Sequence, residues 1–230
     1  MICFPPAGAG AGFFRDWHDS LPRTRIVPVQ LPGREERFSE PPMADAKEIA
    51  TEVAAAIMAE QWPEVVLLGY SYGSVLAFET ARQLEAEGMT RVSAVLACAR
   101  AAPGDVTWET TADWPDADLL AYVRGLGGLP PEVDEEPAFL DLLVPIFRAD
   151  FRANDLYVVN PSSKINAPIV TIAGISDPAM DNGRGEAWGK LTRTCHQLIN
   201  VEGGHFFVLD NPESSFDAIQ RAAAQGGLVS

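Results

Sequence analysis

Short apolar runs alternate along the chain with segments of helical periodicity. Residues 2–4, 25–30, 65–70, 92–99, 168–175 and 197–201 are near-continuous apolar stretches of strand length, the pattern of strands buried on both faces. Between them, residues 46–61 carry Ile49, Val53 and Ile57 at four-residue spacing, one face of an amphipathic helix. Residues 74–87 repeat this with Val75, Phe78 and Leu84 and end at Gly88, a C-cap residue. A last helix is expected over about 214–224, with Phe216 and Ile219 inward. Strand–helix alternation of this kind predicts an α/β fold, a mostly parallel sheet covered on both faces.

One segment breaks the alternation. From Trp108 to about Asn160 the pattern is helical only, with Leu119, Leu120 and Val123 on one face, followed by Phe139, Leu142, Leu143, Ile146 and Phe147. Gly127-Gly128 and Pro130-Pro131 separate the two pieces. An apolar helical insertion of this size between two strands is expected to form a lid over the sheet's active edge, over approximately residues 108–160. The bland alternative is an ordinary pair of crossover helices.

The strongest local motif is Gly69-Tyr70-Ser71-Tyr72-Gly73, which directly follows one predicted strand and directly precedes a capped helix. That context is what a nucleophile elbow requires, and it predicts the α/β-hydrolase fold. The turn is tight enough to strain the serine, and glycines two residues either side remove side chains that would collide across it. The hydroxyl is then presented at a helix N-terminus. A serine nucleophile needs a base. In this fold the acid precedes the histidine in the chain, so His205, in Val201-Glu202-Gly203-Gly204-His205, is the expected base, and His18 and His196 are expected to be ordinary surface or strand-end residues. Asp177, just after the strand at 168–175, is the expected acid; Asp181 and Asp155 are weaker candidates. Its carboxylate would orient the imidazole and stabilise the imidazolium. The oxyanion hole should combine the amide of Tyr72 with one from the loop after residues 2–4, and Ala7 is the candidate because Pro5 and Pro6 have no N–H.

Bulk properties narrow the reading. At 230 residues one domain suffices, spanning 1–230. No apolar run reaches the roughly 20 residues of a membrane span, and the start lacks a signal-peptide pattern, so a cytoplasmic protein is expected; a monomer is expected as well. The net charge of −15 argues against nucleic-acid binding. Cys3, Cys98 and Cys195, all in apolar runs, are expected to be buried free thiols. Gly8, Gly10 and Gly12 superficially suggest a dinucleotide loop, but their spacing is not G-x-G-x-x-G, and the next strand ends in Gln30 rather than an acid. No cofactor and no metal is expected.

Several segments together carry a family resemblance. Cys3-Phe4-Pro5-Pro6-Ala7-Gly8, Gln30-Leu31-Pro32-Gly33-Arg34-Glu35-Glu36-Arg37, Glu40-Pro41-Pro42, the elbow, Arg100-Ala101-Ala102-Pro103, Leu126-Gly127-Gly128, Arg148-Ala149-Asp150-Phe151 and Gly203-Gly204-His205-Phe206-Phe207 occur in the order seen in type II thioesterases. The sequence resembles those editing enzymes of polyketide and nonribosomal peptide synthases from residue 2 to about 210. The resemblance implies hydrolysis of acyl thioesters on the phosphopantetheine arm of acyl or peptidyl carrier proteins, with Ser71, Asp177 and His205 as triad and Ala7 and Tyr72 as oxyanion donors. The sequence departs from the family's common Gly-His-Ser-Met-Gly elbow at Tyr70 and Tyr72, and Ala97-Cys98-Ala99-Arg100 replaces a more usual Ser-Gly-Arg-Arg. Two alternatives stay open at this point: a product-releasing or cyclising acyltransferase or esterase with the same triad, and a non-catalytic module that binds acyl-carrier proteins.

Overall fold

The structure, a computed structural model, describes residues 1–88, 91–104, 110–160, 162–180 and 184–225. Six strands appear where the apolar runs placed them: β1 (Ile2–Phe4), β2 (Val27–Pro28), β3 (Glu64–Tyr70), β4 (Arg91–Cys98), β5 (Ile169–Gly174) and β6 (His196–Val201). They form one parallel sheet in the order β2-β1-β3-β4-β5-β6. The second run pairs over only two of its six residues, alongside the three-residue β1.

Eight α-helices, with five short 3-10 turns besides, accompany the strands among the described residues: α1 (Trp17–Ser20), α2 (Ala46–Ala59), α3 (Tyr72–Glu87), α4 (Asp116–Gly125), α5 (Pro131–Asp134), α6 (Pro137–Asp155), α7 (Phe207–Asp210) and α8 (Pro212–Gln225). Asp45 caps α2, its carboxylate accepting from the amides of Lys47 and Glu48. Gly88 ends α3 at φ 68°, in the left-handed region that favours glycine. Helix α3 begins at Tyr72, two residues before its apolar periodicity does, because it starts directly from the elbow.

Alternating side chains of each central strand feed two cores. Leu67, Val95 and Ala97 join Ile49, Ile57, Val75 and Phe78 of α2 and α3 on one face. Leu68, Tyr70, Leu96 and Cys98 join Trp17, Phe207, Ala218 and Ile219 on the other. The chain leaves β1 toward β2 and returns to β3 on its other side. A crevice therefore opens at the carboxyl ends of β1 and β3, where ligands bind in open α/β sheets.

The helical insertion yields α4, α5 and α6, although Trp108 itself lies outside the described residues. Leu119, Leu120, Val123, Ile146 and Phe147 are buried, whereas Phe139 and Leu142 stand about half exposed. One cysteine expectation is corrected: Cys3 and Cys98 are buried, but Cys195 is exposed. It precedes β6, the other edge strand, between the polar residues Thr194 and His196. Among the described residues no helix is long and apolar enough to cross a membrane.

Candidate active site

Ser71 occupies the turn between β3 and α3 with φ 51° and ψ −121°, a strained conformation for a residue with a side chain. Its surroundings enforce it. The Ser71 amide donates to the Cys98 carbonyl at 2.8 Å, and the Ser74 hydroxyl donates to the Gly69 carbonyl at 2.9 Å. A Cβ on Gly69 would lie 2.2 Å from the Gly73 carbonyl oxygen, and one on Gly73 would lie 2.2 Å from that of Phe4. The two flanking glycines are thus demanded by backbone-on-backbone contact.

The histidine loop meets this turn from the carboxyl end of β6. His205 Nε2 lies 2.9 Å from Ser71 Oγ, and its Nδ1 lies 2.9 Å from Asp177 Oδ2. Asp177 and His205 are buried, at 1% and 7% exposure, and the Asp177 carboxylate also accepts the Ala179 amide at 2.9 Å. Close approach of the β5 and β6 loops needs Gly174, where a Cβ would meet the Gly204 carbonyl at 2.2 Å. The structure therefore brings Ser71, His205 and Asp177 into one hydrogen-bonded line.

The other candidates lie elsewhere or are otherwise engaged. His18 is exposed beside the Arg15 carbonyl, and His196 contacts the Thr171 hydroxyl, with burial lowering its pKa. Asp155 accepts from the amide and hydroxyl of Thr111, and Asp181 lies outside the described residues. Ala7 sits in the loop after β1, which closes with a bond from the Ala9 amide to the Pro6 carbonyl at 3.1 Å and packs against the start of α3. The Tyr72 ring belongs to the core with Phe4, Leu31 and Ala153; burial, then the charge of Asp150, pushes its phenol well above the usual range.

Sequence reasoning missed a contact made by Tyr70. Its hydroxyl donates to the backbone carbonyl of His205 at 2.8 Å, and its ring stacks on Phe206 at 5.8 Å. The departure from the family's histidine at this position was visible, but only the fold shows that it reaches the His205 backbone.

A cavity of about 40 Å³ adjoins the serine, lined by Ser71, His205, Tyr122, Leu126, Phe151 and Arg100, among others. Burial lowers the Arg100 pKa to about 10; its guanidinium donates to Asn154 Oδ1 at 3.1 Å and to the Ala101 carbonyl at 3.0 Å. A larger cavity of about 520 Å³ lies between β2 and α2, around Val27, Ile49 and Trp62, and holds none of the groups above. Among the described residues no group of three or more His, Cys, Asp or Glu could hold a metal ion.

A parallel sheet with a serine on a strained strand–helix turn, faced by a histidine loop from the last strand, defines an α/β-hydrolase. A model of the thioesterase domain matches residues 1–223, and the chain belongs to that family. The resemblance read from the sequence motifs is thereby borne out. The chain is 32% identical over 234 residues to linear gramicidin dehydrogenase LgrE of Brevibacillus parabrevis, covering 100% of this chain and 89% of that one. It is 31% identical over 214 residues to the thioesterase PikA5 of Streptomyces venezuelae, covering 91% and 75%. Among solved structures, the RedJ thioesterase from the prodiginine biosynthetic pathway of Streptomyces coelicolor superposes with a TM-score of 0.88 at 30% identity, over 97% of this chain and 84% of that one.

Proposed function

We propose that this chain is a type II thioesterase that hydrolyses acyl groups from the phosphopantetheine thiol of carrier proteins in polyketide or nonribosomal peptide biosynthesis, through an acyl-enzyme on Ser71. The observation that carries the reading is the line Asp177–His205–Ser71, with both contacts at 2.9 Å, at a strained turn beside a small cavity.

In this mechanism His205 Nε2 accepts the Ser71 proton as Oγ attacks the thioester carbonyl. Asp177 keeps Nδ1 protonated and stabilises the imidazolium. The amides of Tyr72 and Ala7 stabilise the oxyanion, a contribution typically around 10²–10³ in rate per donor. The C–S bond breaks and the thiol leaves with the proton from His205; its pKa near 8.5 makes departure easy. A water, deprotonated by His205, then attacks the ester, the C–O bond to Ser71 breaks, and the carboxylic acid and free serine result.

Helices α4 and α6 line the cavity and act as the lid in this reading. A cavity of about 40 Å³ suits short acyl groups better than long ones. Exposed Phe38, Phe139 and Leu142 rim an apolar groove beside residues 8–10 and offer an uncharged docking contact, which an acidic carrier needs against a chain of net charge −15. The buried free thiols of Cys3 and Cys98 suit the cytoplasm. The dehydrogenase name of one relative is not carried over. In loop 8–12 the amides of Gly8, Ala11 and Gly12 are taken by the side chains of Asp150, Gln30 and Glu35, two of them carboxylates that would repel a pyrophosphate.

The test is intact-protein mass spectrometry of carrier proteins loaded with acetyl, propionyl, hexanoyl and aryl-acyl groups. Short-chain carriers should return to the free thiol with the wild type and not with Ser71→Ala. Survival of every acyl-carrier alongside cleavage of a p-nitrophenyl ester would make the enzyme an esterase or product-release enzyme instead.

A further inference from the structure

Two motifs that the resemblance singled out, 30–37 and 148–151, take no part in the mechanism above, yet they meet at the loop that carries Ala7. Arg34 and Asp150 form a bidentate ion pair at 2.6 and 2.9 Å, with residue exposures of only 4% and 0%. Asp150 Oδ2 also accepts the Gly8 amide at 2.8 Å, and the Arg34 guanidinium donates to the Ala9 carbonyl at 3.3 Å. Gln30 and Glu35 of the same motif accept the Ala11 and Gly12 amides at 3.1 Å. One turn before Asp150, Phe147 packs so closely on Gly8 that a Cβ there would fall 2.0 Å from its ring.

We propose that Arg34 and Asp150 are positioning residues that hold the 7–9 backbone, and with it the oxyanion-donating amide of Ala7, in register with Ser71. The proposal rests on the reading of Ala7 as an oxyanion donor.

The geometry gives each contact a purpose. The Ala7–Gly8 peptide plane is fixed by the Asp150 bond to the Gly8 amide, and the Ala9–Gly10 plane by the Arg34 bond to the Ala9 carbonyl. The turn bond from the Ala9 amide to the Pro6 carbonyl closes the other side, so Ala7 is held from both directions. Gly8 supplies the left-handed φ of 80° that this path requires. Burying two charges is a poor way to gain stability, because well-packed apolar residues of similar volume usually serve as well or better. An apolar pair cannot accept an amide hydrogen or donate to a carbonyl. Placement of the loop is therefore what this pair supplies and a hydrophobic contact would not. Asp150 lies on α6, so the same pair ties the proposed lid helix to the oxyanion loop.

Two variants separate positioning from bulk stability. Arg34→Met/Asp150→Leu keeps volume without buried charge and leaves Gly8 without its acceptor. It should unfold near the wild-type Tm, yet kcat on a short acyl-thioester should fall roughly 10- to 100-fold, part of the loss seen when a donor is removed outright. KM should stay within about twofold, because the lost interaction acts in the transition state. Asp150→Asn keeps an acceptor for Gly8 but leaves Arg34 without its counter-charge. It should lose Tm while retaining most of kcat. Inhibition by an alkyl boronic acid, whose tetrahedral adduct on Ser71 places an oxygen in the hole, should weaken in proportion to kcat across the series. If the double variant does not fold, Asp150→Ala compared with Asp150→Asn at equal fraction folded reads the same difference. Activity that simply tracks Tm, or an unchanged boronate Ki in the folded double variant, overturns the proposal and leaves the triad untouched. Full turnover by Ser71→Ala would overturn the serine mechanism and the positioning role with it.

Discussion

The two regions that face each other across Ser71 are held by different physics. Beneath it, β3, β4 and the start of α3 fix the elbow by backbone contact: Gly69 against Gly73, Gly73 against Phe4, the Ser71 amide on Cys98. Opposite it, exposed or half-exposed ion pairs join α4 and α6 to their neighbours, Arg124 with Asp134, Arg148 with Asp116 and Arg152 with Asp113, while the buried pair Arg34–Asp150 ties α6 to the loop after β1. Leu119, Val123 and Phe147 form a small core of their own, and Ala153 of α6 joins the main one. The side that holds the strained serine has no room for adjustment. The side that would admit an acyl chain is fastened at one point by a buried pair and elsewhere by contacts that water and salt can loosen.

The sharpest way to break this contrast is at the elbow. Gly73→Ala drives a methyl into the Phe4 carbonyl, where no side chain can move aside, and should destabilise by on the order of 4 kcal/mol or more, read by urea unfolding. A wild-type midpoint would show that the elbow is looser than its contacts indicate. Tyr70→Phe removes the donor to the His205 carbonyl and should lose about 1–3 kcal/mol, the usual result of orphaning a buried acceptor, together with slower phosphonate labelling of Ser71.

Acid should act through Glu79 of α3. Burial pushes its carboxyl up, but bonds from Arg82, Gln83 and Tyr157 outweigh this and leave its pKa below the usual 4.5. The native carboxylate thus binds protons less readily than the unfolded one. Its stabilisation is complete above the usual carboxylate range and is lost as pH falls through the lowered native value. Urea midpoints measured downward from about pH 6 should fall, and Glu79→Gln should flatten that slope. The smallest effect is expected opposite the elbow: Arg152→Ala removes a solvent-exposed pair and should change stability by less than about 1 kcal/mol.

Legibility from sequence followed the same division. Strands buried on both faces announce themselves as continuous apolar runs, and the elbow glycines are local in sequence, so the sheet, Ser71 and the Ser–Asp–His order could be read directly. Edge strands were harder: β2 pairs over two residues, and Cys195, expected inside an apolar run, is exposed among Thr194, His196 and Gln197, and its place at the sheet edge is not a local property. The bond from Tyr70 to His205 joins residues 135 apart, and the pair Arg34–Asp150 joins residues 116 apart. Both positions stood in recognisable motifs. Motifs mark residues that matter without saying what they touch, so only the topology could pair them.

The most direct test of the central claim is peptide mapping by mass spectrometry after reaction with an alkyl fluorophosphonate. A single adduct is expected, on the peptide containing Ser71, formed rapidly in the wild type, slowly in His205→Ala and not at all in Ser71→Ala. An adduct on another residue, or undiminished labelling of Ser71→Ala, would contradict it.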